Sequence, residues 1–259
     1  MNIAKIDAEL LLAFALNKPR SFLYAYPEYE LTKEQEKTFD ALLGRRASGE
    51  PIAYILGKKE FWSLELTVNQ SVLIPRPETE LLVEVALNKL GREVAIVADM
   101  GTGSGAIALA LAAERSKWNI FATDISTDAL NLARYNAGRL QLNNINFCCG
   151  DWCSALPNKK FDLIVSNPPY IAQNDPHLQQ GDVRFEPKIA LKAGNGLVAL
   201  KKIIIQAKEY LAIGGLLMLE HGYNQSRQVQ ELLCQNKYHA ITPYKDLAGI
   251  YRIVVAEKT

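Results

Sequence analysis

Beyond Gly91 the chain alternates between apolar runs of strand length and stretches of helical period, and this alternation restricts the possible folds more than any other feature. Strand-like runs occupy residues 95–100, 120–125, 145–149, 161–165 and 216–219, followed by 240–244 and 251–256. Helical patterns fall between the first three, at 106–114 and 129–140, and again at 197–211 and 225–236. Parallel strands need a crossover connection, usually a helix, so repeated strand-helix units predict a largely parallel sheet with helices on both faces. The last two runs are separated by a short stretch containing Gly249, which predicts an antiparallel final pair.

The first 59 residues have a different character. Residues 3–16 place Ile3, Ile6, Leu10 and Phe14 at three- and four-residue steps, predicting an amphipathic helix that Asn17, Lys18 and Pro19 end. Thr32-Lys33-Glu34-Gln35 fits a capping box and opens a second helix carrying Phe39, Leu42 and Leu43, closed by Gly49 and Pro51. From Glu60 the period shortens: Phe61, Leu64, Leu66 and Val68, then Val72, Leu73 and Ile74, predict two short strands around Asn69-Gln70. Residues 60–75 are therefore expected to form a hairpin linker between a helical domain at 1–59 and an α/β domain at 76–259. Pro77 near the first helical position, with Glu78 and Glu80 in the first turn, suits the start of a helix carrying Leu81, Leu82 and Val85.

Composition narrows the function classes. With 29 basic and 28 acidic residues the net charge is +1, so a polycation that grips nucleic acid through its phosphates is disfavoured. No apolar run approaches the ~18 residues of a membrane span, and the first residues lack a signal-peptide core, so a cytoplasmic location is expected. The four cysteines (Cys148, Cys149, Cys153 and Cys234) contain no C-x-x-C and are not grouped with any histidine; they read as reduced packing residues, and no metal is expected.

Three strand ends carry the chemistry of a nucleoside-binding site. Asp99-Met100-Gly101-Thr102-Gly103-Ser104-Gly105 runs from the first strand into a helix; alternate glycines allow a tight turn and close approach of a ligand to unpaired N–H groups. Gly101, Gly103 and Ala106 also satisfy the looser G-x-G-x-x-G/A dinucleotide fingerprint. Asp124 ends the second strand, 19 residues beyond Gly105, where a carboxylate can accept from both ribose hydroxyls. Asp151-Trp152 ends the third, an acid beside an aromatic face suited to adenine. A helix-capping Asp124 and a core Trp152 are the alternatives.

The fourth strand stops at Ser166-Asn167-Pro168-Pro169-Tyr170. The double proline holds Asn167 extended at the carboxyl end of the strand, where open α/β sheets bind ligands. The side-chain oxygen of Asn167 and the carbonyl of Pro168 can each accept one N–H of a planar NH2, aiming its nitrogen at an electrophile, while Tyr170 can stack on the acceptor or face a cation. A loop with an Asx-type turn is the alternative for this motif taken by itself.

Taken together, the acid-x-Gly-x-Gly-x-Gly loop, the acid after the second strand and Asn-Pro-Pro-Tyr after the fourth resemble the class I S-adenosylmethionine methyltransferases, with their Rossmann-like seven-stranded sheet. Two longer stretches are similar to the peptide chain release factor N5-glutamine methyltransferases, the PrmC/HemK family. They are the segment Pro51 to Gly57 with Glu60-Phe61-Trp62 and Leu73 to Glu80, and Asp175 to Pro187 together with Asp246-Leu247-Ala248-Gly249 and Arg252. The resemblance covers essentially the whole chain. It implies methyl transfer from S-adenosylmethionine, leaving S-adenosylhomocysteine, to the glutamine amide in the Gly-Gly-Gln loop of class 1 release factors. It also implies that Gly101, Thr102, Gly103, Ser104, Gly105, Asp124, Asp151, Trp152 and Asn167 hold the cofactor. Asn167, Pro168, Pro169 and Tyr170 would hold the glutamine, with Asn167, Pro168 and Tyr170 closest to the chemistry. Arg76 and Glu78 would lie at the mouth of the site, and the helical domain would grip the release factor. No stable nucleic-acid partner is expected, and a monomer is. His177 and Glu186 fall in a long polar connection that suits a lid or a plain surface loop. Two other functions fit parts of the pattern: an adenine-N6 methyltransferase acting on DNA or RNA, whose acceptor NH2 is similar, and a non-enzymatic translation-associated factor that keeps the fold.

Overall fold

The computed structural model describes residues 3–259, apart from the side chain of His177; Met1 and Asn2 at the head of the expected helical domain, and the His177 side chain in the expected lid, lie outside it. Four helices come first: α1 (Lys5–Ala15), α2 (Arg20–Ala25), α3 (Lys33–Ala47) and α4 (Ile52–Leu56). The capping box at the head of α3 is complete. Gln35 N–H donates to Thr32 Oγ1 at 3.3 Å and Thr32 N–H donates to Gln35 Oε1 at 3.0 Å. In α1 the buried face differs from the expected one: Ile6 and Phe14 are exposed, whereas Leu11 is fully buried against Leu42 of α3 and Ile55 of α4. Three successive leucines at 10–12 allow more than one packing face, and contact with α3 and α4 selects the one centred on Leu11. Pro51 does not simply close α3; it opens α4, and Tyr54 of α4 donates its hydroxyl to the Val72 carbonyl at 2.6 Å.

The hairpin turns earlier than expected. Its strands are β1 (Lys58–Phe61) and β2 (Leu64–Thr67), and the turn residues Trp62 and Ser63 have φ of +51° and +58°. Two successive left-handed residues make the primed type of turn that matches strand twist. Trp-Ser carries none of the Asn-Gly chemistry that marks such a turn in a sequence. Trp62 is held there by its neighbours: its N–H donates to Glu80 Oε1 at 2.9 Å and its indole Nε1–H to Glu114 Oε1 at 2.8 Å. Residues 72–74, expected as the second strand, form none. Asn69 accepts from Ser71 N–H at 2.9 Å in an Asx turn, and the chain then buries Val72 and Ile74 as an irregular segment.

The seven-stranded sheet has the order β5-β4-β3-β6-β7-β9-β8. Its strands are β3 (Ile96–Met100), β4 (Asn119–Asp124), β5 (Ile145–Cys149), β6 (Phe161–Ser166), β7 (Leu211–Glu220), β8 (Tyr238–Lys245) and β9 (Tyr251–Lys258). The first five are parallel and the last two join antiparallel. Strand β7 is longer than its apolar run because Gly214 and Gly215 sit inside it beside a register shift against β6. A Cβ on Gly215 would stand 2.9 Å from the Phe161 carbonyl oxygen, so only glycine permits that approach.

Successive residues of the central strands point to opposite faces, and two cores follow. Val97, Leu163 and Val165 pack under α5 (Glu80–Leu90), α6 (Ala106–Glu114) and the end of α7 (Thr127–Arg139), with Phe61 and Leu66 of the hairpin. Ala98, Met100 and Ile164 pack under α9 (Val198–Tyr210) and α10 (Ser226–Gln235). Between α9 and β6, the segment after Tyr170 forms two 3-10 turns, Pro176–Gln179 and Gly181–Phe185, and the short helix α8 (Lys188–Leu191). From β3 the chain builds outward to β5, then returns to place β6 on the other side of β3. The topological switch therefore lies between β3 and β6, and the carboxyl ends of those two strands open a crevice.

Candidate active site

At that crevice the glycine loop leaves β3 under tight backbone control. The N–H groups of Gly101 and Thr102 both donate to the Thr123 carbonyl at 2.9 Å, and Gly101, Gly103 and Gly105 have φ of +73°, +57° and +89°. Asp99 at the end of β3 is fully buried and organises the loop from beneath. Its Oδ2 accepts from the Thr102 hydroxyl at 2.6 Å and from Ala108 N–H at 3.2 Å, the latter an otherwise orphaned donor in the first turn of α6. Burial raises this carboxyl to about 7, opposed by those two donors. Asn136 of α7 ties the same loop to the hairpin, donating to the carbonyls of Ser104 and Thr67, each at 3.0 Å. A Cβ on Gly105 would lie 2.8 Å from Leu109 Cδ1 and 3.3 Å from Ala133 Cβ, at a φ that side chains rarely adopt. Gly105→Ala should therefore lower stability by about 2–4 kcal/mol, the sum of the left-handed and overpacking costs; denaturant unfolding checks it, and a change below ~0.5 kcal/mol would refute it.

The loop, the ends of β4 and β5 and the start of α9 enclose a cavity of about 360 Å³, a size suited to a small organic ligand. Asp124 lines it with both carboxylate oxygens engaged: Oδ2 accepts from Gly103 N–H and Oδ1 from Ser126 N–H, each at 2.9 Å. Each oxygen keeps a further lone pair, so backbone anchoring and acceptance of a diol are compatible. The helix cap of α7 is Ser126, whose side chain accepts from Ala129 N–H, so Asp124 is not that cap. Trp152 is half-buried rather than a core residue; it lines the cavity with its ring against Gly101, where an added Cβ would meet it at 3.1 Å. Asp151 also lines the cavity, but it is ion-paired with Lys202 of α9. Sequence reasoning did not single out Lys202, one polar residue on an amphipathic helix.

Asn167 lines the cavity from β6. Its Nδ2 donates to the Thr79 hydroxyl at 3.0 Å, Thr79 donates to Glu220 Oε2 at 2.7 Å, and the Tyr170 hydroxyl donates to Glu220 Oε1 at 3.3 Å. One of the two N–H groups of the Asn167 amide is thereby engaged by Thr79. Glu220, the last residue of β7, is fully buried; burial lifts its carboxyl to about 7 against the hydrogen bonds from Thr79 and Tyr170. Pro169 joins the lining, whereas Pro168 is buried and the Tyr170 hydroxyl points to Glu220, so neither of these two contributes to the cavity wall. Glu220 and Thr79 were not among the residues expected in the site. Glu220 had a readable signal, since like Asp99 and Asp124 it is an acid directly after an apolar run.

Arg76 lines the same cavity, and Glu78 is exposed outside it. Arg76 is clamped by Glu186, whose two oxygens accept from Arg76 Nη2 at 2.5 Å and from Ile74 N–H at 3.0 Å. Glu186 thereby straps the segment following Tyr170 to the segment following the hairpin. Arg46 of α3 adds a contact from the helical unit, donating to Asp7 at 2.8 Å and to Asp182 at 3.2 Å. Among the described residues no cluster of His, Cys, Asp and Glu is placed to hold a metal ion, and no helix is long and apolar enough to cross a membrane.

Residues 1–57 match the family described as the PrmC N-terminal domain, and residues 77–184 match the Methyltransferase small domain. The chain is similar to the release factor glutamine methyltransferase of Coxiella burnetii, at 52% identity over 98% of this chain and 92% of that protein. It is similar to the protein of the same name from Escherichia coli at 48% identity, over 96% and 90%. Among solved structures, a methyltransferase from Pyrococcus furiosus shares the fold with a TM-score of 0.58 at 18% identity, over 85% of this chain and 98% of that one.

Proposed function

Because the chain belongs to the release factor glutamine methyltransferase family, we infer that it methylates a glutamine of a release factor with S-adenosylmethionine as methyl donor, and that the cavity at the β3/β6 switch point is where this occurs. The acceptor is the side-chain amide nitrogen, N5, of the glutamine in the Gly-Gly-Gln loop of a class 1 release factor. The observation that carries this reading is the Asn167 amide lining a cavity walled by a glycine loop, Asp124 and Trp152, with one N–H bonded to Thr79.

The donor set fits the cofactor: a carboxylate with free lone pairs for a ribose diol, an indole face for adenine and a glycine backbone that allows close approach. S-adenosylmethionine supplies a methyl group on a cationic sulfonium, which is already a good electrophile. The protein's task is then alignment. Asp124, Trp152, Asp151 and the backbone of Gly101 to Gly105 hold the cofactor. The Asn167 amide oxygen accepts one N–H of the glutamine amide and points its nitrogen at the methyl group, and Pro168, buried behind it, fixes Asn167 at the end of β6. Pro169 shapes the wall and Tyr170 braces Glu220 behind it. Arg76 stands at the mouth, held by Glu186, with Glu78 outside it on the surface.

The helical unit docks the release factor, and its exposed Tyr24, Tyr26 and Tyr29 offer amphipathic contact area for a protein partner. The protein acts as a monomer in the cytoplasm, without a metal and without a stable nucleic-acid partner. Incubation with labelled S-adenosylmethionine and, separately, purified class 1 release factor, DNA and tRNA tests this. Label is expected on the glutamine of the release factor alone. Label confined to nucleic acid would favour an adenine-N6 methyltransferase, and cofactor binding without transfer to any of the three would favour a binding factor.

A further inference from the structure

Asn167 lines the cavity with one amide N–H bonded to Thr79, and which end of the amide makes that bond depends on what stands behind it. An amide side chain has a donor end and an acceptor end of nearly equal shape, so packing alone does not decide which end faces a ligand. Here the decision is made by a hydrogen-bonded chain. Thr79, at the end of the 3-10 turn Pro77–Thr79, is 5% exposed, and its single hydroxyl proton is directed to Glu220. The Thr79 oxygen is then left to accept, and it accepts from Asn167 Nδ2. Reversing the first link reverses the second.

We propose that Thr79 and Glu220 form a positioning relay for methyl transfer, in which the Glu220 carboxylate orients the Thr79 hydroxyl and Thr79 in turn locks the Asn167 amide with its oxygen toward the acceptor nitrogen. This rests on the reading of the cavity as the methyl-transfer site. Glu220 lies outside the cavity lining and Thr79 joins that lining beside Asn167; in the relay both act through Asn167. When Glu220 takes a proton on Oε2 it donates to Thr79. The Thr79 O–H then turns to Asn167 and favours the amide rotated by half a turn. The cavity would then present an NH2 to an acceptor that is itself an NH2, and two donors facing each other cannot align the nitrogen.

The surroundings of Glu220 bring that protonation into the accessible pH range. It is fully buried, and the charged and titratable groups facing it are few. The Tyr170 hydroxyl bonds its second oxygen, Arg252 on β9 favours its charged form, and Glu78 on the 3-10 turn opposes it. Buried His221 follows it in the chain with Nδ1 against the Gly222 carbonyl, and burial holds that imidazole below its ordinary value, toward the neutral form. Arg252 is itself paired with Asp246 at 3.1 Å. Burial outweighs the favourable partners and lifts the carboxyl from its ordinary 4.5 to about 7. The sign follows: the productive form is ionised Glu220, so turnover should rise with pH through the neutral range and fall on the acid side.

The test is steady-state methylation of purified release factor between about pH 5.5 and 8.5, with cofactor affinity measured separately by calorimetry. Thr79→Val keeps the shape and removes the hydroxyl; kcat is expected to fall on the order of 10²-fold, with the Kd for S-adenosylmethionine within ~3-fold and the acid limb lost. Thr79→Ser restores the hydroxyl and should bring kcat back to within ~5-fold of the parent, with the acid limb present. If Thr79→Val is insoluble, Thr79→Ala removes the same group and carries the same expectation. The relay is overturned if the hydroxyl-less variant turns over like the parent, if it keeps the acid limb, or if Thr79→Ser is damaged equally. Failure of the parent protein to label release factor at all would overturn the function assigned to the cavity, and the relay with it, an outcome distinct from the other three.

Discussion

Asn167→Ala is expected to lower kcat for release factor methylation on the order of 10²-fold or more, while the Kd for S-adenosylmethionine changes by less than ~10-fold. The substitution removes the side-chain amide that lines the cavity from the end of β6 and leaves Thr79 without the donor it now accepts from at 3.0 Å. A positioned acceptor matters more here than its bond energy suggests. In the function proposed above, the amide nitrogen is a poor nucleophile while its lone pair is conjugated, and an acceptor that holds its N–H is what turns that nitrogen toward the methyl group. The double proline fixes Asn167 at the end of β6, so its replacement does not disturb the strand register, which Ser166 secures by donating to the Met100 carbonyl at 2.6 Å. Single-turnover methylation beside calorimetric cofactor binding measures the two quantities. Near-normal turnover with intact binding would remove Asn167 from the mechanism.

Asp124→Ala should act on the other half of the site, raising the Kd for S-adenosylmethionine by about 10²-fold. Two effects combine. The carboxylate anchors Gly103 N–H and Ser126 N–H, so its loss leaves two backbone donors unpaired and loosens the middle of the loop. In the function proposed above it also removes the acceptors for the ribose hydroxyls, and hydrogen bonds to a charged group contribute roughly 1.5–3 kcal/mol each. Asp124→Asn, which keeps one oxygen, should cost about tenfold. Calorimetry at matched ionic strength is the measurement, and an affinity within ~3-fold of the parent for the alanine variant would show that the carboxylate serves the loop alone.

How far such effects could be foreseen from the chain differs between regions. The strands of the central sheet were legible because each is a short apolar run bounded by glycine, proline or an acid, and those boundaries have local causes: Pro168 ends β6, and Gly101 turns the chain after β3. The hairpin was less legible. Its turn at Trp62-Ser63 exists because Glu80 and Glu114, 18 and 52 residues away, bond the tryptophan, and no local pattern encodes that. The buried face of α1 was ambiguous for a similar reason, since three adjacent leucines each offered a face and only α3 and α4 chose among them.

Among the residues that line the cavity, Gly101 to Ser104, Asp124, Trp152 and Asn167 were readable because each follows closely on the end of a strand, and strand ends in such a sheet converge on one crevice. That convergence follows from periodicity of two and of about 3.6, which are properties of neighbouring residues. The connections behind the site are of another kind. Asn167 meets Thr79 across 88 residues, Thr79 meets Glu220 across 141, and Arg76 meets Glu186 across 110. A threonine opening a helix and a glutamate ending a strand look ordinary one at a time. Their chemistry arises when burial removes water from Glu220 and brings its carboxylate against the Thr79 and Tyr170 hydroxyls, a condition that exists only once the chain has closed around it. The amino-acid order alone therefore determined which residues reach the crevice, through local period and strand-ending chemistry. Tertiary structure decided which way the Asn167 amide points, because hydrogen-bond direction depends on partners brought together from distant parts of the chain.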